Sequence, residues 1–367
     1  NKTFGSHSVP EGWLIAAAGN PPEYNKSVRE FDIVTLDRVR RMDIEADLGV
    51  WMEYAWKKEI HGSILAYLGM KKDHFYSVEN TVDGKFFVTA RGWEDLSEIL
   101  KAYEELGVEI TENLIGEYLC RDEIARSFFA SYQLYRKYGE DYGLKRLLSG
   151  EMAEEEQQKK VKMAEGASFE ERFLVTGLLL SGLNGSFLDY EKLDKETGAV
   201  YQELLHLKAF LHDKKDMTAL DEFTDVKKKS LAVRLEAELL NLEQQTTEEF
   251  VIRTLEEFSL TIRKEHITDT ETGFERIRQL FTEMVEKRKD CAKKISRELE
   301  RAFAFMKACF GDGQETVLFV TGLTRNSHAA AFIREYGCDP YFACSEKLLY
   351  RKQEKKLQEE CESLLKI

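Results

Sequence analysis

The sequence predicts a mostly helical chain: a short α/β piece at the front, a helical region holding a small hairpin, and an elongated all-helical region behind it. Three observations carry this. Only four prolines punctuate 367 residues, which leaves room for long uninterrupted helices. Apolar residues recur at helical spacing through the second half. Near the front, Gly12-Trp13-Leu14-Ile15-Ala16-Ala17-Ala18-Gly19 is an apolar run of strand length, closed by Asn20 and two prolines that forbid its continuation. That places the Asn20 side chain at the carboxyl tip of a buried strand, where open α/β sheets hold their ligands.

The elements follow in order. The segment from Asn25 reads as a helix closing on Thr35-Leu36-Asp37-Arg38-Val39-Arg40-Arg41, with a last strand at Val39 to Ile44. Together they make residues 1–46 one region. Asp47 to about Tyr67 is helical, with Val50, Trp51, Tyr54 and Ala55 on one face. Two β-prone runs flank Asp83-Gly84 between Phe75 and Val88, which predicts a hairpin. Helices are expected from Gly92 to Tyr103, Thr111 to Leu119 and Asp122 to Tyr138, so that 47–149 form a second region. Residues 150–166, with Glu154-Glu155-Glu156-Gln157-Gln158-Lys159-Lys160, carry few apolar residues and read as a solvated linker. In 167–367, Leu231, Leu235, Leu239 and Leu242 form one stripe. Ile277, Phe281, Met284, Cys291, Ile295, Leu299, Ala302 and Met306 form another, broken by Arg288. The run from Phe274 to Phe310 would be about 55 Å long, stopping at Gly311-Asp312-Gly313. Such stripes need each other as burial partners, so 167–367 is expected to fold without the front of the chain. Thr316 to Thr321 is short and β-prone, with its state undecided. Ser327 to Tyr336 is helical up to Gly337, and Asp339-Pro340 starts a last helix.

Composition narrows the function classes. A net charge of -14 argues against general nucleic-acid binding, since phosphate backbones need a basic footprint. Lys227-Lys228-Lys229 reads as a solvated helix face. No apolar run reaches the ~20 residues that span a bilayer. The six cysteines lack paired spacing, so they read as reduced core thiols of a cytoplasmic protein. Cys338, Cys344 and His328 match no known metal-ligand spacing, and Phe303, Phe305 and Phe310 read as packing.

Across residues 1 to about 115 the order of features resembles the second half of an AAA+ ATPase core of the MoxR type. That family sets a sensor-1 Asn in a small-x-Asn-Pro context, then a Leu-Asp-Arg-apolar motif with the arginine finger, then a small-x-Arg element at the start of a helical lid. Here Asn20-Pro21, Leu36-Asp37-Arg38-Val39 and Thr89-Ala90-Arg91 stand in those places, the last departing from the usual Ser-Pro-Arg. The resemblance implies ATP and Mg²⁺ as cofactors and a ring, often hexameric, that remodels or matures partner proteins. A von Willebrand factor A domain protein is a frequent companion. It implies that Asn20 orients the attacking water, which needs a donor and an acceptor at one point. Arg38 would hold a positive fork on the neighbouring subunit's phosphate, and Arg91 would reach the γ-phosphate of its own subunit.

Each residue has a plainer reading as well. Asn20 can cap the turn before Pro21, and Arg38 can be an exposed basic residue near a helix C-terminus. Arg29, Arg40 and Arg41 lie close by, and Arg91 can be an ordinary first-turn arginine. Tyr24, Asn25 and Lys26 read as shaping the loop before the finger helix.

The phosphate-binding half is not in this sequence. Gly-x-x-x-x-Gly-Lys-Ser/Thr is absent, the Gly84-Lys85 pair being followed by Phe86, and no apolar run ends in the Asp-Glu of a Walker B segment. Asn1-Lys2-Thr3-Phe4-Gly5 resembles the hairpin that follows Walker B in MoxR proteins, so an N-terminally truncated ATPase is expected. The competing expectation is a non-enzymatic helical scaffold or interaction protein. Titration calorimetry of these 367 residues with ATP and Mg²⁺ should detect no binding; a micromolar Kd would refute the missing-cradle argument.

Overall fold

In the computed structural model, residues 3–4, 7–14, 16–19, 37–81, 84–214 and 216–347 are described, in two compact units, Asn1–Ala46 and Asp47–Ile367. In the first unit β1 (Thr3–Phe4) pairs antiparallel with β2 (His7–Ser8), Thr3 opposite Ser8. The strands expected over Gly12 to Gly19 and Val39 to Ile44 are not formed among the described residues. Trp13, Leu14, Met42 and Ile44 are exposed coil. Extended backbone persists when a neighbour takes its N–H and C=O groups. The only strand pairing described in this unit is the two-residue ladder at its front.

Among its described residues the second unit is helical apart from one hairpin. Helix α1 (Leu48–Lys57) is capped by Asp47 and α2 (Gly62–Met70) by His61. The single helix expected here breaks because Glu59 turns to a φ of 54°. A 3₁₀ turn (Lys72–His74) leads to β3 (Ser77–Thr81) and β4 (Gly84–Val88), which pair antiparallel with Ser77 opposite Val88. The expected hairpin is thus present. Helices α3 (Ala90–Leu106), α4 (Glu112–Tyr118), α5 (Asp122–Tyr142) and α6 (Leu144–Ser149) follow. The stretch expected as a linker holds α7 (Glu154–Glu165), which packs through Ala164 and Val161 into the same core as its neighbours.

Two long helices organise the rest: α8 (Phe169–Leu211) and α11 (Thr270–Phe310), of 43 and 41 residues. Between them α9 (Ala219–Glu236) and α10 (Leu242–Lys264) form an antiparallel hairpin. Ion pairs Asp221–Arg263, Lys228–Glu256 and Arg234–Glu248 lace that hairpin. The chain closes with α12 (Gln314–Arg325), α13 (Ser327–Tyr336) and a further helical stretch over 339–347. The undecided segment at Thr316 to Thr321 is therefore helix.

Helices α8 and α11 run antiparallel in a constant register. Ser186 meets Glu298, Asp194 meets Arg288, and Tyr201 stacks on Phe281. Along this pair sit two separate cores. In the head, α8 residues Leu179, Leu183 and Phe187 and α11 residues Ile295, Leu299 and Met306 pack with side chains from α1 to α7, α12 and α13. In the tip, Val200, Leu204 and Leu207 of α8 pack with Phe223, Leu255, Phe258 and Ile277 of α9, α10 and α11. The tip is built only from one continuous stretch of chain.

This corrects the domain boundary expected at 150–166. Val175, Leu179 and Leu183 belong to the same core as Ile64, Trp93 and Phe128, and Gly177 seats against Ala66 of α2 with no room for a Cβ. The apolar stripes of 167–367 are therefore not self-sufficient. The α9–α10 stripe is also only half covered: Leu231 is buried, whereas Leu239 and Leu242 are exposed. A fragment of residues 192–290 should accordingly give a strong helical signal with a cooperative melt. Residues 167–367, which strip the head of half its partners, should bind a hydrophobic dye or aggregate. Circular dichroism with dye fluorescence checks both.

Candidate functional site

Arg91 stands on the exposed side of the first turn of α3, and the turn beneath it is held on three sides. Thr89 caps the helix, its hydroxyl accepting the Gly92 N–H at 3.1 Å. Gly92 lies against the end of α4 so closely that a Cβ would stand 2.7 Å from the Tyr118 carbonyl oxygen. Trp93 is fully buried, donates its indole N–H to the Phe75 carbonyl at 3.0 Å, and meets the Phe128 ring edge-on at 5.3 Å. Next to this mount, the Phe87 N–H donates to the Cys120 carbonyl, and Arg121 donates to Ser77 Oγ at 2.6 Å and Glu79 at 2.8 Å. Arg91 itself has no hydrogen bond or ion pair among the described residues. The result is a free guanidinium on a rigid base.

The other expected site residues fall elsewhere. Asn20 lies outside the described residues, as do Tyr24, Asn25, Lys26 and Arg29. Arg38 lies in an exposed turn of the first unit; two residues on, Arg40 is exposed too, and Arg41 is paired with Asp43 at 2.8 Å. Arg38 belongs to the first unit and Arg91 to the second.

A second constellation has the outward form of a nucleophile–base–acid row. Ser63 Oγ is 2.7 Å from His61 Nδ1, and His61 Nε2 is 3.2 Å from Glu104. Its chemistry is structural. Ser63 is 1 % exposed, and its backbone N–H donates to Nδ1 at 3.3 Å, which puts the ring proton on Nε2 facing Glu104. Burial pushes the Glu104 carboxyl up, but hydrogen bonds from His61 and Tyr132 outweigh it and hold the group below the usual carboxylate range. Ser97 Oγ accepts the His61 N–H, so the knot ties α2, α3 and α5 together. The residues involved are scattered from 61 to 132, and no spacing in the sequence announces them.

The buried thiols Cys309 and Cys338 are equally inert. Cys120, Cys291, Cys309, Cys338 and Cys344 are free, and burial pushes the Cys309 thiol up to about 12. His328 is bound through Nδ1 to Glu191 and joins no cysteine. Among the described residues no group of three His, Cys, Asp or Glu is placed to hold a metal, and no helix is long and apolar enough to cross a membrane. Comparison of the chain with protein-family models, with curated proteins and with solved structures finds no match.

Gly92→Ala tests the mount. The added methyl meets a backbone oxygen, so α3 must shift; overpacking of this kind costs about 1–3 kcal/mol. A thermal melt should show a clear loss of stability, whereas Arg91→Ala should leave the melting temperature within about a degree, as expected of an exposed residue without partners.

Proposed function

We propose that this chain is the part of a MoxR-type AAA+ ATPase that follows its phosphate-binding half, coupling ATP hydrolysis in a ring to the remodelling or maturation of a partner protein. The observation that supports it most is the setting of Arg91. A sensor-2 arginine must present an unpaired guanidinium from a helix start that does not yield when it meets a phosphate. A charged donor gains most when its position is fixed in advance. Arg91 has both properties, and they fit the γ-phosphate of ATP. None of the residues singled out in this chain is suited to hold Mg²⁺.

The two other roles rest on sequence order. Asn20 would orient the attacking water, and Arg38, exposed in its turn, would act across a subunit boundary. A homo-oligomeric ring, plausibly a hexamer by resemblance, and a von Willebrand factor A domain companion complete the proposal. A cytoplasmic setting accords with the free thiols of the described cysteines.

The test uses the chain with a Walker A and Walker B half joined ahead of residue 1. Arg38→Ala should lower ATP turnover by about 10³-fold or more, the scale of arginine-finger losses, while nucleotide affinity stays nearly intact. Mutant subunits mixed into wild-type rings should poison them. Arg91→Ala should lower turnover without reducing stability. An inactive wild-type fusion that still folds would favour the scaffold reading, and a loss of ATP binding with normal turnover per bound ATP would make Arg38 a structural residue.

A further inference from the structure

Between its two cores the α8–α11 pair changes character. On α8 the last buried apolar residue of the head is Tyr190 and the first of the tip is Val200, about 15 Å further along the axis. The intervening Glu191-Lys192-Leu193-Asp194-Lys195-Glu196-Thr197-Gly198 is mostly charged. On α11 the facing stretch is Glu286-Lys287-Arg288-Lys289-Asp290, between Met284 of the tip and Cys291 of the head. Polar ties replace the core here. Arg288 lies 2.6 Å from Asp194 and 3.1 Å from Glu335, Lys195 bridges Glu191 and Glu243 at 2.8 and 2.6 Å, and Glu191 holds His328.

Gly198 lies at the tip end of this waist, deep inside a continuous helix. Glycine there costs about 1 kcal/mol relative to alanine, and no close neighbour requires it: a Cβ would meet nothing within 4 Å. Beside it the Thr197 hydroxyl donates back to the Leu193 carbonyl at 2.7 Å, a bond that favours local bending. Partly exposed ion pairs are each worth about 0–1 kcal/mol and re-form readily with water. Bending at the waist therefore disturbs weak ties, whereas bending inside either core would open packed apolar surface.

We infer that residues 191–198 of α8 and 286–290 of α11 form a joint at which the tip bundle swings relative to the head. The inference is independent of any nucleotide chemistry. It is tested on the full chain carrying two fluorophores at unnatural amino acids, at Lys137 in the head and Glu236 in the tip, with Lys137 and Glu300 as a pair inside the head; all three positions are exposed.

Single-molecule energy transfer should give a broader distribution for the head–tip pair than for the control. Gly198→Ala should narrow it, and about 0.5 M salt, which screens the ties, should broaden it. Hydrogen exchange locates the joint. Amides of 192–198 and 286–290 should exchange at least ~10-fold faster than those of the flanking cores on the same helices, and Gly198→Ala should slow the first group about fivefold, the glycine–alanine propensity difference. Equal widths for the two pairs, waist amides as protected as those in the cores, or no response to Gly198→Ala would overturn it.

Discussion

The antiparallel pairing of α8 with α11 is the constraint on which the second unit depends. Helices of this length gain little by themselves, since helical stability in proteins comes mainly from packing an apolar face. Each finds that face on the other, and the register is held by unlike contacts along its length: a hydroxyl on a buried carboxylate at Ser186–Glu298, an ion pair at Asp194–Arg288, and stacked rings at Tyr201–Phe281. Everything else in the unit attaches to this pair. The helices before α8 and after α11 complete the head, and the hairpin between them completes the tip.

The head stabilises two kinds of local structure that serve different ends. Around His61 the polar groups hydrogen-bond one another across α2, α3 and α5, so the knot contributes order. Around Arg91 the same devices, a hydroxyl cap, a tight backbone approach and an aromatic anchor, leave one charge facing outward. A half-buried, hydrogen-bonded histidine and an exposed arginine without a partner among the described residues thus stand on the same kind of packing.

Much of the helical unit was legible in the sequence. Asp83-Gly84 between β-prone runs located the hairpin, Gly311 ended α11 as expected of a residue free to take positive φ, and the Ile277-to-Met306 stripe matched the buried face of α11, including its interruption at Arg288. The meaning of that interruption was not legible, because one arginine in an apolar stripe reads the same whether it is a defect or the edge between two cores. The domain boundary failed for a related reason. Low apolar content in 150–166 signals exposure, yet a mostly exposed helix still belongs to a core through Ala164 and Val161. The length of α8 escaped notice because its burial face shifts between the head and the tip, so no single stripe runs its full extent. For the site, motif order pointed to Arg91, whereas the support under it comes from Tyr118 and Phe128, which no local spacing connects to it.

The contiguity of the tip sets an order of events during synthesis. All the apolar partners of the tip lie between Ala199 and Met284, so this bundle can close as soon as that stretch has left the ribosome. The head has no such freedom: Ile64, Trp93 and Phe128 wait for Leu299, Phe319 and Phe332, which are made much later. At about 5–20 residues per second the wait lasts on the order of ten seconds or more. The earlier-made elements of the head keep apolar surface open until its later helices arrive, and the finished tip stands meanwhile on an unfinished base.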